Sequence, residues 1–212
     1  LGSDQTIFNN LDLNNGIKTL VVNTTVGGAN AISSGVLNCN NSVLDLNSST
    51  LTVNNADGTA ITATTGYILS EDANNSSKVV WKIGNTSGIH TIPFGNINGV
   101  HIPYSYNLNS GSAGDLTVST YATIADNTPY PIMPVNVTHI RDAAGTDNSA
   151  NTVDRFWQVD KTGNGTADYT FTYAATENAA NGNINIRAQN WNTSNQGWNA
   201  ALPGQLNPPA PS

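Results

Sequence analysis

The sequence predicts an all-β chain, with a short β-solenoid-like or meander segment over residues 4–77 followed by an antiparallel β-sandwich over residues 78–200. Three observations carry this. Charged residues fill 10% of the 212 positions, where about 25% is usual, and Asn, Thr, Ser and Gly take their place. Thr, Val, Ile, Tyr and Trp, which suit a pleated and half-buried surface, are spread along the whole length. The apolar residues alternate in short runs broken by Asn- and Gly-containing turns, with no sustained helical period. A chain of this size buries roughly 70% of its unfolded surface on folding, so it needs neither a disulfide nor a metal to supply a core. The single cysteine, Cys39, cannot form an internal disulfide.

Taken in order, residues 1–3 (LGS) read as the scar of a removed fusion tag, with a natural start at Leu1 as the alternative. "LDLNNGIKTLVVN" (Leu11 to Asn23) is echoed by "LDLNSSTLTVN" (Leu44 to Asn54), each alternating inward Leu or Val with polar residues and ending on Asn. Such strands with Asn and Gly at the corners fit the coils of a β-solenoid, while an ordinary meander stays open as a second reading. Asp57-Gly58, set between alternating runs, signals a hairpin. From Lys78 the strands lengthen and become aromatic: "KVVWKIG", "IHTIPFG", "VHIPYSYNL", "DLTVSTYATI", "MPVNVTHIRD", "RFWQVDK", "ADYTFTYAA" and "NINIRAQNW". Gly, Asn, Pro or Asp between them points to a sandwich. Pro129, Pro131 and Pro134 cannot donate to a central ladder and mark a connection or an edge. Residues 201–212 read as a linker-like tail.

"VVWKIGNTSGIHTIPFG", then "RFWQVDKTGNGTADYTFTYAA", then "NIRAQNWNTSNQGWN" resemble modules of large secreted surface proteins of gliding and marine Bacteroidota, many of them exported by the type IX system. There a solenoid-like stretch commonly precedes a sandwich reading W-x-(I/V)-G, (F/I)-P-(F/V)-G, R-x-W-x-(I/V), T-F-x-Y and a segment ending W-N. The resemblance runs from about Thr6 to Asn199. It implies a secreted, extracellular or cell-surface location and a non-catalytic, adhesive or fibre-like role, and it supplies no catalytic residues. Such modules carry one more Val- and Thr-rich strand after the W-N segment, and here "NPPAPS" stands in that place. The resemblance therefore implies an open sandwich edge. Either the N-terminal "DQTIFNNLDL" covers it, giving the monomer that is expected, or a neighbour's strand fills it by exchange.

Charge and motifs narrow the functions further. The formal net charge is −7 with seven Lys and Arg, which speaks against nucleic acid and anionic lipid as partners. No apolar run approaches the roughly 20 residues of a membrane span. In "DKTGNGTADYT", Asp160, Thr162, Asn164, Thr166 and Asp168 place oxygens at the alternate positions of a calcium loop, with Gly165 sixth. Phe171 stands where a bidentate Glu belongs, and the flanks alternate as strands, so a hairpin turn is the preferred reading and Ca²⁺ the candidate cofactor. His90 and His101, in the near-copies "GIHTIPF" and "GVHIPY", could begin a zinc site but lack a third ligand. Glu71 and Asp72 are neighbours that a strand would turn to opposite faces, and no nucleophile elbow or phosphate loop occurs, so no enzyme is expected. Trp191 and Trp198, flanking "NTSNQG", together with Tyr130 are candidate glycan contacts; the alternative is that the two tryptophans clamp the end of the sandwich. A carbohydrate-binding module is thus the second functional reading beside the structural one.

Overall fold

The protein, seen in a computed structural model, is described over residues 5–29, 34–177 and 186–205; the expected tag scar and most of the tail lie outside them. Strands β1 (Thr6–Phe8), β2 (Leu11–Asp12) and β3 (Ile17–Thr19) make a first coil. β4 (Thr24–Val26), β5 (Leu37–Asn38) and β6 (Val43–Asp45) make a second, and β7 (Thr50–Val53), β8 (Ile61–Thr62) and β9 (Tyr67–Leu69) a third. Every strand pairs in parallel with its counterpart one coil on: Leu11 with Leu37 with Ile61, and Ile17 with Val43 with Tyr67. This is the solenoid-like arrangement, not the meander.

The abundance of asparagine has a local cause in the corners. Asn15, Asn40 and Asn47 have φ of 58°, 44° and 45°, left-handed conformations that asparagine tolerates better than most residues. Their coil also gains hydrogen bonds. The Asn40 amide donates to Leu13 O (3.0 Å) and Asn14 Oδ1 (3.2 Å), Asn41 to Asn15 Oδ1 (2.8 Å), and Asn47 to Leu20 O (3.0 Å). Each side chain thus satisfies a corner of the preceding coil that the sheets leave unpaired.

The echo between Leu11–Asn23 and Leu44–Asn54 is out of register with the fold. The first "LDLN" lies beside "LNCN" (Leu37 to Asn40), while Leu44 lies beside Lys18. Asp57-Gly58 does not join a hairpin either, because β7 and β8 belong to different sheets. It forms a corner in which the Asp57 carboxylate accepts from Thr59 N (2.8 Å) and Thr59 Oγ1 (2.7 Å). A Cβ on Gly58 would lie 2.4 Å from Ile89 O, so the next layer requires glycine there.

Beyond the coils come β10 (Lys78–Gly84), β11 (Gly88–Ile92), β12 (Phe94–Gly95), β13 (Tyr104–Ser110) and β14 (Gly114–Ala122). Then follow β15 (Arg155–Lys161), β16 (Thr166–Thr170), and the two-residue strands β17 (Trp191–Asn192) and β18 (Gly197–Trp198), with 3₁₀ turns at Ser149–Asn151 and Ala175–Glu177. β10 is the switch: it lies parallel to β7 on one side and antiparallel to β14 on the other. One six-stranded sheet, β1-β4-β7-β10-β14-β15, therefore runs through both halves, facing β11-β13-β16 and β12-β9-β6-β3. The hairpins β13–β14 and β15–β16 each add one antiparallel rung to both faces. The main apolar core extends from Leu13 through Leu44, Val53, Trp81, Tyr104 and Leu116 to Ala174.

Three sequence expectations are corrected. "MPVNVTHIRD" forms no strand; its Pro134, with Pro129 and Pro131 just before it, cannot donate to a ladder, and only Arg141 makes a bridge, to Asp147. "NINIRAQNW" falls partly on residues 183–185, outside the described residues, and residues 186–190 carry no strand. The N-terminal segment does not cover the late sandwich edge. β1 pairs with β4, at the opposite border of the six-stranded sheet from β15. No helix among the described residues is long and apolar enough to cross a membrane.

Candidate functional site

Among the described residues, the strongest concentration of buried charge lies where coil and hairpins meet. Alternation along β15 puts Arg155 on the inward face with Trp157 and Val159. Its guanidinium, with 0% of the side chain exposed, meets Glu71 Oε1 (2.6 Å) and Glu177 Oε1 (2.6 Å) through Nη2, Glu177 Oε2 (2.9 Å) through Nε, and Thr120 Oγ1 (3.0 Å) through Nη1. The carboxylates are held by backbone as well: Glu71 Oε2 accepts from Ala122 N (2.6 Å), and Glu177 Oε2 from Ala174 N (3.0 Å). Burial works to raise the Glu177 carboxyl, but the hydrogen bond and charge of Arg155 outweigh it and hold the group below its usual range. Burial likewise works against the Arg155 cation, and its two acids more than restore it. Next to the triad, burial and the negative charges of Glu177 and Asp126 raise the Asp154 carboxyl. The loop after β9, the end of β14, the start of β15 and the last 3₁₀ turn are all joined through this one guanidinium.

Sequence reasoning passed over this triad. Arg155 appeared only as part of the "RFWQVDK" texture, although an arginine at an inward strand position requires buried acidic partners. Glu71 and Asp72 lie in the loop after β9 and part there: Glu71 goes to Arg155, and Asp72 accepts from Ser48 Oγ (2.6 Å) and from Ser76 Oγ.

The calcium candidates are distributed over a hairpin that spans two sheets. Asp160 on β15 pairs across to Thr117, whereas Asp168 on β16 pairs to Asn107. Their oxygens have protein donors: Gln158 Nε2 to Asp160 Oδ2 (2.5 Å), Asn109 Nδ2 to Asp168 Oδ2 (3.0 Å), and Asp115 N to Thr162 Oγ1 (2.9 Å). Thr166 Oγ1 bonds Ser110 Oγ (2.7 Å). Asn164 lies in the turn beside Gly111. The histidines also separate. His90 is buried, its Nδ1 3.1 Å from Gly88 O, its Nε2 3.0 Å from Ala56 O and its ring edge-on to Trp81. His101 packs edge-on against Tyr67. Among the described residues no three His, Cys, Asp or Glu gather as a metal set. Burial pushes the Cys39 thiol up to about 12, leaving it a core residue without thiolate character.

The aromatic candidates do come together. Trp191 and Trp198 pair across β17–β18 with ring centroids 5.4 Å apart, and Trp198 stacks on Phe156 (6.4 Å, 12°). Tyr130 meets the same Phe156 edge-on at 6.3 Å, and His139 packs on Trp191 at 5.1 Å. Trp198 Nε1 donates to His139 O (2.9 Å), while Trp191 Nε1 is buried with no partner among the described residues. Tyr121, Ile140 and Phe156 form a second, smaller core against which Ala73, Tyr130 and Trp198 pack.

No protein-family model, curated protein or solved structure matches the chain.

Proposed function

We propose that the chain is a non-catalytic module of a secreted, cell-surface adhesin-like or fibre-like protein, in which the stacked fold is itself the working part. The observation that carries this is the Glu71–Arg155–Glu177 triad. Its charges are bonded to one another and to backbone groups, and so join the coils to the hairpins. The resemblance of the sequence to Bacteroidota surface modules supports the same reading. Beads coated with the chain and held under shear on protein- and polysaccharide-coated glass should be retained, and heat-unfolded protein should lose that retention. Retention no better than that of bare beads on every surface would contradict the proposal.

A second reading, a carbohydrate-binding module, is favoured by the convergence of Trp191, Trp198 and Tyr130 around Phe156. A sugar face stacks on an aromatic ring, and these rings are gathered at one place on the sheet. Titrating a panel of soluble polysaccharides against tryptophan fluorescence separates the two readings. Saturable quenching abolished by Trp191→Ala supports glycan binding, and a flat response to every member leaves the structural role alone.

A further inference from the structure

The core of the stack is built of columns, one residue per rung, and two columns end on lysine. In one, Lys18 of β3 lies beside Leu44, which lies beside Ile68, which lies beside Phe94. Leu44, Ile68 and Phe94 are 1%, 0% and 0% exposed. In the other, Val26, Val53, Trp81 and Leu116 are each 0% exposed and follow one another through β4, β7, β10 and β14, and the next place, on β15, is Lys161. These positions face the core, yet at the two terminal rungs they carry an ammonium in a chain with seven Lys and Arg in all. Both side chains fold back in the same way. Lys18 Nζ donates to Asn15 O (2.8 Å) on its own coil, and Lys161 Nζ donates to Gly165 O at the turn of its own hairpin. Among the described residues β1, β2 and β3 are paired on one side only, and so is β15.

We infer that Lys18 and Lys161 are closing residues that stop strand addition at the two ends of the stack. The aliphatic stem of each covers the end of an apolar column while the ammonium stays with water and a carbonyl. A strand laid on either end would have to bury that charge over the column without an acidic partner, which costs far more than the apolar contact returns. Inward-pointing charge is one of the ways a sheet edge is protected from pairing with another chain. The ends are otherwise well suited to growth: Gly16 O and Leu20 N, which flank β3, bond to the second coil, and the alternation of the ladder turns the backbone groups of Ile17 and Thr19 away from it. The inference concerns pairing at these rungs, whatever chain precedes or follows them. It goes beyond the proposed function, because a module can be adhesive or glycan-binding with open or closed ends.

Lys18→Leu, Lys161→Leu and the double substitution test it, read by light scattering over a concentration series with circular dichroism to confirm that each variant is folded. The unaltered chain should hold one mass throughout. Each leucine variant should at least double its mass as concentration rises, and the double variant should grow further, with two adhesive ends. Lys18→Arg and Lys161→Arg, which keep the charge, should stay at the starting mass. Folded leucine variants that keep the mass of the unaltered chain at every concentration would overturn the inference. So would an unaltered chain that already self-associates, or arginine variants that associate as the leucine ones do.

Discussion

Arg155 is the residue on which most of the protein's buried charge depends. Arg155→Met would leave Glu71 and Glu177, with 11% and 8% of their side chains exposed, without a counter-charge. Removing one partner of a buried pair costs about 3–5 kcal/mol, and urea unfolding should show a loss of that size. Adding Glu71→Gln and Glu177→Gln should recover part of it. The same triad sets a pH dependence. The Glu177 carboxyl sits below its ordinary 4.5 in the folded chain, so the unfolded chain binds the extra proton. The stability this confers is complete above about pH 4.5 and is lost as pH falls through the folded value. Asp154 acts in the opposite sense: it is raised above its ordinary 3.8, so it disfavours the fold above its folded value and is relieved on acidification. The urea midpoint of the unaltered chain should fall in acid, and that of Arg155→Met should fall less steeply, having lost the cause of the Glu177 depression. Equal slopes would show that Arg155 does not control Glu177. None of this partnership was legible beforehand, since Glu71, Arg155 and Glu177 lie far apart in the chain and only the inward position of Arg155 hinted that it needed acids.

At the scale of single elements, strands flanked by clear turns were legible and corners were not. "KVVWKIG" and "RFWQVDK" match β10 and β15 residue for residue, because alternation over seven positions between polar breaks leaves one reading. "MPVNVTHIRD" alternates as well, but Pro134, with Pro129 and Pro131 just before the segment, keeps it out of a ladder. The repeated "LDLN" misled because a period of two cannot tell which strand of one coil stacks on which strand of the next; that is decided at the corners, where Asn40 and Asn41 bond Asn14 and Asn15. The alternate oxygens of the calcium register share one strand–turn–strand segment, and the fold carries its two strands into different sheets, Asp160 on β15 and Asp168 on β16. Corner geometry makes its own prediction. A Cβ on Gly66 would lie 2.4 Å from Ser42 O and 2.7 Å from Cys39 O, both backbone atoms of the second coil. Gly16, at φ +71°, has nothing within 4 Å of such an atom. Gly66→Ala should therefore destabilise by about 1–3 kcal/mol or more through overpacking, against roughly 1–2 kcal/mol for Gly16→Ala from left-handed strain alone. A thermal melt in which Gly16→Ala is the more damaging of the two would show that the coils do not stack this closely.

For the molecule as a whole, the shift from parallel coils to antiparallel hairpins changes the direction of the chain without dividing the core. β10 belongs to both regimes, and the core cluster runs through it without interruption. The composition foretold an all-β chain and a change of texture at Lys78. That one sheet continues across that point was not visible, because a strand's two neighbours leave no mark in its own alternation. Coils and hairpins therefore form one cooperative unit, fastened by Arg155 at their junction. Native-state hydrogen exchange on the unaltered chain and on Arg155→Met tests this most directly. If the account holds, the slowest amides of β4, β7, β10 and β14 open with a common free energy, and the substitution lowers all of them by the same amount. If the amides of β4 and β7 keep their protection while those of β14 and β15 lose theirs, the coils fold independently of the hairpins and the central claim is wrong.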